Sequence, residues 1–260
     1  LSQISYFFGH ILEFFYNMTS NYALSIVLFT ILTKIILLPL TISQMRSMSA
    51  MKLIQPEIDK INKKYKNDRQ KQSELLSKLY KDNNINPAAG CLPLLIQLPI
   101  LTAMYSVIRE PIKYVFANNE ALYKTADIGF FWVKHLTDVD KINVGGMDLP
   151  FILPVMSAIF TYLQLKMSTA RSSSDNEMAQ GMSKNMSVMM PIMMLIWGVM
   201  FPAGLMLYWV TGTIVQIIQQ YFIGKYEEKI MLEKKGNSSQ TTKTQVKKQN
   251  NTTAKKDDKK

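Results

Sequence analysis

Tyr22–Ile42 reads YALSIVLFTILTKIILLPLTI, with 15 apolar residues in 21 and one lysine, Lys34, among them. A hydrocarbon core of ~30 Å needs roughly 20 helical residues, and this run supplies them. Four weaker apolar runs follow: Leu92–Ile108 (12 apolar of 17), Pro150–Leu165 (11 of 16), Met186–Phe201 (13 of 16) and Leu205–Ile223 (13 of 19). The intervening segments are too polar to cover five such helices in water. The short runs therefore imply a thin bilayer or helices lengthened by amphipathic flanks. The expected fold is an all-α integral membrane protein with five transmembrane helices.

Composition agrees once it is mapped. The 260-residue chain has a formal net charge of +11, yet its mean hydropathy is +0.02. Ten Lys/Arg lie in 43–91, three in 166–185 and eleven in 224–260, which is 24 of 30. Residues 1–21 carry none, and 109–149 carry five against six acids. Positive loops mark the cytoplasmic side, so the expected topology has the N-terminus outside and the C-terminus inside. This divides the chain into an extracytoplasmic segment 1–21, a cytoplasmic segment 43–91, an outer loop 109–149, a cytoplasmic loop 166–185 and a basic cytoplasmic tail 224–260. The chain begins at Leu1 rather than Met, so an upstream piece is expected to have been removed, whether a signal peptide, a lipoprotein leader or a cloning trim.

Segment 43–91 is patterned. Met51, Ile54, Ile58, Ile61 and Tyr65 follow one helix face, with a kink or helix start expected at Pro56. Lys66–Arg69 reads as a turn, and Leu75, Leu76, Leu79 and Tyr80 mark a second helix. The pair is a cytoplasmic helical hairpin; the pattern alone leaves open whether it does more than link spans. In the outer loop, Phe130-Phe131-Trp132 reads as an interfacial aromatic anchor. The tail from about Gly236 has the composition of a disordered segment.

Little points to covalent chemistry. One cysteine, Cys91, and two separated histidines, His10 and His135, exclude a disulfide framework and any Cys-based metal cage. No phosphate loop, dinucleotide fingerprint or hydrolase elbow occurs. No cofactor and no nucleotide site are expected, and the chain does not read as an enzyme. Lys34 is the informative residue. Eight residues from the inner end of its span, its Cα lies roughly 12 Å deep. Placing lysine there costs about 3 kcal/mol. Snorkelling to the headgroups is one explanation; a water-filled cavity awaiting a polar or acidic partner is the other. The remaining spans hold no interior charge, so Lys34 is expected to meet its partner transiently. Thr30 lies one turn away on the same face. Gln97, Gln164, Thr211, Thr213, Gln216, Gln219 and Gln220 place polar groups in the other spans. Singly these are interhelical hydrogen bonds; together they would line a hydrophilic concavity. Nine of the 18 methionines fall between Met178 and Met206, as core filler or as an adaptable apolar face.

Several stretches match a known family. Thr33-Lys34-Ile35 with Leu38-Pro39-Leu40, Gln55-Pro56-Glu57-Ile58, and Leu79-Tyr80-Lys81 running into Asn84-Ile85-Asn86-Pro87 occur in order. Gly90-Cys91-Leu92-Pro93 with Gln97-Leu98-Pro99-Ile100, Phe201-Pro202-Ala203-Gly204 with Leu207-Tyr208-Trp209, and Ile217-Ile218-Gln219-Gln220 complete the series. The chain resembles the YidC/Oxa/Alb membrane-protein insertases over about residues 20–223, in the Gram-positive form without a large outer domain. The resemblance implies a five-span core around a hydrophilic intramembrane groove, open to cytoplasm and lipid and closed outside. The family's central cation is usually Arg; Lys34 stands there, keeping the charge but losing the planar five-donor fork. Thr30, Gln164 and Trp209 match positions near the groove or substrate path, and Gln97 sits in a matched motif. The implied partners are nascent membrane proteins, the lipid bilayer, the ribosome through the basic tail, and optionally a Sec translocon, in a bacterial plasma membrane. A nascent segment would dock between the first and last spans. The alternative from another class is a small channel or transporter with an anion site at Lys34, against which stand the missing repeat and missing intramembrane acids.

Overall fold

A computed structural model describes residues 2–86, 92–170 and 177–226. Its described elements are α1 (Ser2–Thr19), α2 (Tyr22–Ile36), α3 (Leu38–Leu53), α4 (Gln55–Lys64), α5 (Arg69–Asp82), α6 (Leu92–Arg109), α7 (Pro111–Tyr114), α8 (Glu120–Thr125), β1 (Lys141–Val144), β2 (Met147–Pro150), α9 (Ile152–Ala170) and α10 (Glu177–Gly198). A last helix, α11, occupies 203–226. Leu1–Gln219 forms one compact unit, and Gln220–Lys260 a second. In the second, the described residues 220–226 are helical, with the Lys225 ammonium over the Tyr221 ring at 5.3 Å. Pro87–Cys91, the loop 171–176 and the tail from 227 lie outside the described residues, and with them the expectations for Cys91 and the basic tail.

The first span departs from a straight helix. It breaks at Leu37, and Tyr22–Ile36 meets Leu38–Met51 at 56°. Pro39 explains the break: it offers no N–H to the carbonyl of Ile35, and its ring presses on that carbonyl. No single described helix is both long and apolar enough to cross a membrane; this bent pair passes by length and composition. Shorter apolar helical stretches occur at Leu95–Arg109, Ile152–Ser168 and Ser187–Gly198. Helix α10 runs from Glu177 to Gly198, and its apolar stretch is Ser187–Gly198.

Segment 1–21, to which the sequence pattern assigned no element, is the helix α1. Ser5, Gly9, Leu12 and Tyr16, at helical spacing, are its buried residues. Gly9 is required here: a Cβ would collide with the backbone carbonyl of Tyr114 in α7. Gly198 likewise lets α10 close on α9, where a Cβ would strike the ring of Pro154. The two helices read in segment 43–91 form as α4 and α5 and pack against each other. Pro56 sits in the first turn of α4, and Asp68 caps α5 by accepting from Lys71 N at 3.0 Å.

The core gathers Leu12, Tyr22, Ile26, Phe29, Met104, Ile108, Phe116, Leu136, Leu153 and Ala203–Tyr208 at one end of the bundle. Segment 109–149 folds over that end. Tyr22 N donates to Asp127 O at 3.0 Å, and Asn21 Nδ2 to Asp127 Oδ2 at 2.6 Å. The first amides of α11, which have no intrahelical acceptor, are satisfied by the same segment: Ala203 N to Asp138 O at 2.6 Å and Gly204 N to Leu136 O at 2.8 Å. Buried Asp140 accepts from Trp132 Nε1 at 3.0 Å and from Leu153 N, in the first turn of α9, at 2.7 Å.

One feature departs from an all-helical chain. β1 and β2 pair antiparallel around Gly145-Gly146, both at positive φ (61° and 86°). That two-residue glycine turn between short alternating runs is a hairpin signal the helical reading passed over.

Candidate functional site: the polar cluster at Lys34

Lys34 lies in the last turn of α2, half-buried, just before the break at Leu37. Its Nζ donates to Gln216 Oε1 of α11 at 3.2 Å. A neutral acceptor holds the ammonium, and no carboxylate among the described residues does. The Lys113–Glu110 ion pair and the His10–Glu13 hydrogen bond lie elsewhere, at the start of α7 and in α1. Gln219 Nε2, one turn further along α11, donates to the Lys34 backbone oxygen at 3.2 Å. A helix end leaves its last carbonyls without intrahelical partners, so the break supplies this acceptor. Gln219 Oε1 is buried without a hydrogen-bond partner among the described residues. A Cβ at Gly212 would come within 3.2 Å of Lys34 Cε and 3.5 Å of Thr30 Cγ2, so glycine lets α11 approach α2 here.

The other expected site residues take different places. Thr30 is fully buried, and its hydroxyl donates back along its own helix to Ile26 O at 2.6 Å, so it offers no free polar group beside Lys34. Gln97 Nε2 donates to the Tyr208 hydroxyl at 2.9 Å, tying α6 to α11. Trp209 Nε1 donates to Thr161 Oγ1 at 3.2 Å, tying α9 to α11. Gln164 is half-buried on α9, one turn beyond Thr161. The polar groups of Lys34, Thr30, Gln97 and Trp209 are thus engaged with different neighbours. Helix α11 carries separate polar contacts to α2, α6 and α9.

Gly212, Gln216 and Gln219 are spaced i, i+4, i+7 on one face of α11, and that spacing was the available signal for them. Tyr208 and Thr161 gave none beyond their polar groups. Among the described residues no His, Cys, Asp and Glu cluster suits a metal ion. An open cleft of about 670 Å³ lies away from Lys34, between the start of α2 and residues 126–135, lined by Asn21, Leu24, Asp127, Phe130, Lys134 and His135.

Comparison with known proteins places this geometry. A family model described as the 60Kd inner membrane protein matches residues 14–230. A membrane protein insertase YidC of Fusobacterium nucleatum is 41% identical over 205 residues, covering 79% of this chain and 87% of the relative. A YidC insertase of Clostridium perfringens is 42% identical over 210 residues, covering 80% of each. An insertase of Bacillus anthracis named YidC 2 is 37% identical over 247 residues, covering 92% of this chain and 83% of the relative. A crystal structure described as an active YidC insertase with its first transmembrane domain resolved superposes with a TM-score of 0.59 at 31% identity. That match covers 85% of this chain and 46% of the solved one, so the chain spans less than half the length of that protein.

Proposed function

The chain belongs to the 60Kd inner membrane protein family of membrane protein insertases, and we propose that it moves a nascent chain into the bilayer through a polar groove centred on Lys34. The observation that carries this reading is the half-buried Lys34 ammonium held by the neutral amide of Gln216, with no carboxylate on it and the buried Gln219 Oε1 without a hydrogen-bond partner among the described residues. A cation paired to a carboxylate would be spent. One held by a neutral amide keeps its field and exchanges that bond for an anionic or strongly polar group on an incoming chain.

In this mechanism the apolar segment of a client lies along the lipid-facing helices while its short polar tail enters at Lys34. Each unsatisfied polar group in hydrocarbon costs several kcal/mol, and the groove lowers that cost over part of the path. The segment then leaves sideways into lipid, driven by apolar burial. The expected docking lane between the first and last spans is narrowed, because Lys34, Gln216, Gln219 and Gly212 bring α2 and α11 together there. Entry at that lane exchanges the Lys34–Gln216 bond for one to the client.

The proposed topology has five spans, 22–42, 92–108, 150–165, 186–201 and 205–223, the N-terminus outside and the tail in the cytoplasm. The loop-charge asymmetry supports it. The hydrogen bonds donated by the first amides of α11 to the carbonyls of Leu136 and Asp138 support a groove closed on the outer side. Gln97, Gln164, Thr30 and Trp209 enter as wall residues: Thr30 by its packing beside Gly212, the others by their side-chain amides or indole. The ribosome is the proposed partner of the basic tail. A chain ending at Tyr226 should co-sediment less with ribosomes, with the difference shrinking as salt rises. A Sec translocon is a further proposed partner, tested by co-purification.

The deciding experiment is complementation in cells depleted of their own insertase. Lys34→Ala and Lys34→Glu should block integration of small one- and two-span proteins while solute fluxes stay normal, and Lys34→Arg should support growth. Full complementation by Lys34→Glu would remove charge attraction from the mechanism. Altered solute flux with normal integration would favour a channel.

A further inference from the structure

The β1–β2 hairpin presents an apolar face that the described residues leave open. Its register pairs Ile142 with Leu149 and Val144 with Met147. Residues two apart on a strand, and residues directly opposite across a pair, share a face, so these four side chains point the same way. All four are exposed, Met147 most at 67%. Lys141 and Asn143 alternate onto the other face. An isolated two-stranded hairpin is at best marginally stable in water, so this one needs something to rest on.

Its position limits what that is. β2 ends at Pro150 and α9 starts at Ile152, and β2 also touches α10. A four-residue strand reaches about 13 Å, so the apolar face stays close to the ends of two apolar helices. Nearby, Phe131 is 90% exposed and stacks on Trp132 with ring centroids 6.1 Å apart. Trp132 is fastened through Asp140 to the first turn of α9. Aromatic side chains at a span end belong to the headgroup level of a bilayer. A two-stranded ribbon also has open backbone edges, which hydrocarbon excludes and the hydrated headgroup layer accepts.

We propose that the β1–β2 hairpin is an interfacial lipid-binding element, its four-residue apolar face seated in the outer headgroup layer and Lys141 and Asn143 turned to water. It fixes the height of α9 in the bilayer through Asp140. The inference rests on the outward placement of this segment proposed above, and the test separates the two.

Val144→Cys and Asn143→Cys, adjacent residues on opposite faces, are each made in the full chain with Cys91→Ser. Each is labelled with an environment-sensitive fluorophore and reconstituted in phosphatidylcholine–phosphatidylglycerol vesicles. The label at 144 should shift to the blue on reconstitution and be quenched by lipids brominated near the headgroup, more than by deep-brominated lipids. The label at 143 should be quenched by iodide instead. Iodide quenching at both sites with no lipid quenching would place the face in water. Protection of 144 from both quenchers would place a protein surface, a second copy included, over it. Either result overturns the proposal. Sidedness is read separately in intact cells, from reaction of Asn143→Cys with an impermeant maleimide. Reaction only after permeabilisation would refute the topology and leave the lipid contact standing.

Discussion

The two ends of the bundle are built differently. In α2 the buried residues are Tyr22, Ala23, Ser25, Ile26, Phe29 and Thr30, and none is buried from Ile31 to Ser43. In α11, 203–208 are buried without exception, and none is from 214 to 219. In α6, Ala103, Met104, Val107 and Ile108 are buried and none is from 95 to 102; in α9, burial ends at Thr161. Four helices thus spend one end on a shared core and leave the other loosely engaged. Lys34, Gln216 and Gln219 sit where the packing stops. A core packed along its full length would exclude both water and a client. One packed at a single end has a rigid frame and a half that can admit a chain. The contrast predicts that substitutions at the packed end act through stability and those at the open end through insertion.

The largest effect should come from Gly9→Leu. Any side chain there meets the Tyr114 backbone, which cannot swing aside, so the detergent-solubilised protein should lose about 3 kcal/mol, the upper end for overpacking, seen as a lower Tm. Asp140→Asn comes next. It keeps the shape but weakens two hydrogen bonds to a buried carboxylate, at a cost of about 1–2 kcal/mol in the same measurement. Insertion by either variant should track the folded fraction. Gly212→Ala is the smallest and most diagnostic. Its new methyl presses on the flexible end of Lys34, so Tm should hold while insertion falls less than about tenfold, under ~1.4 kcal/mol. A falling Tm with unchanged insertion would erase the distinction between the ends.

How far the sequence foretold this depends on the kind of signal. The hairpin α4–α5 was legible as two helices around a turn at 66–69, because Pro56 acts locally and the apolar rhythm is helical; the capping role of Asp68 came only with the structure. Lys34 stood out because charge is rare in an apolar run. The break at Leu37 was also written locally, in Pro39, but an apolar run of adequate length read as one span. Helix α1 was passed over because its apolar residues are split between a buried face and an exposed one carrying Phe7, Phe14 and Met18, which blurs amphipathicity. The partners within the candidate site were least legible. Gln97 and Trp209 have the right chemistry, yet they bond Tyr208 and Thr161, choices made by packing between helices distant in sequence. Gln216 and Gln219 were two among several polar residues of the last span until Gly212 showed which face of α11 meets α2.

The bend at Leu37 makes α3 a lever arm. Its 16 residues extend about 24 Å, and at 56° to α2 they carry their far end roughly 20 Å sideways while advancing only about 13 Å along the α2 direction. The α4–α5 hairpin is therefore mounted off to one side of Lys34. A change of ten degrees at that single joint would sweep its base by about 4 Å. A force applied to α4–α5 reaches the end of α2 as a torque, delivered three residues from Lys34.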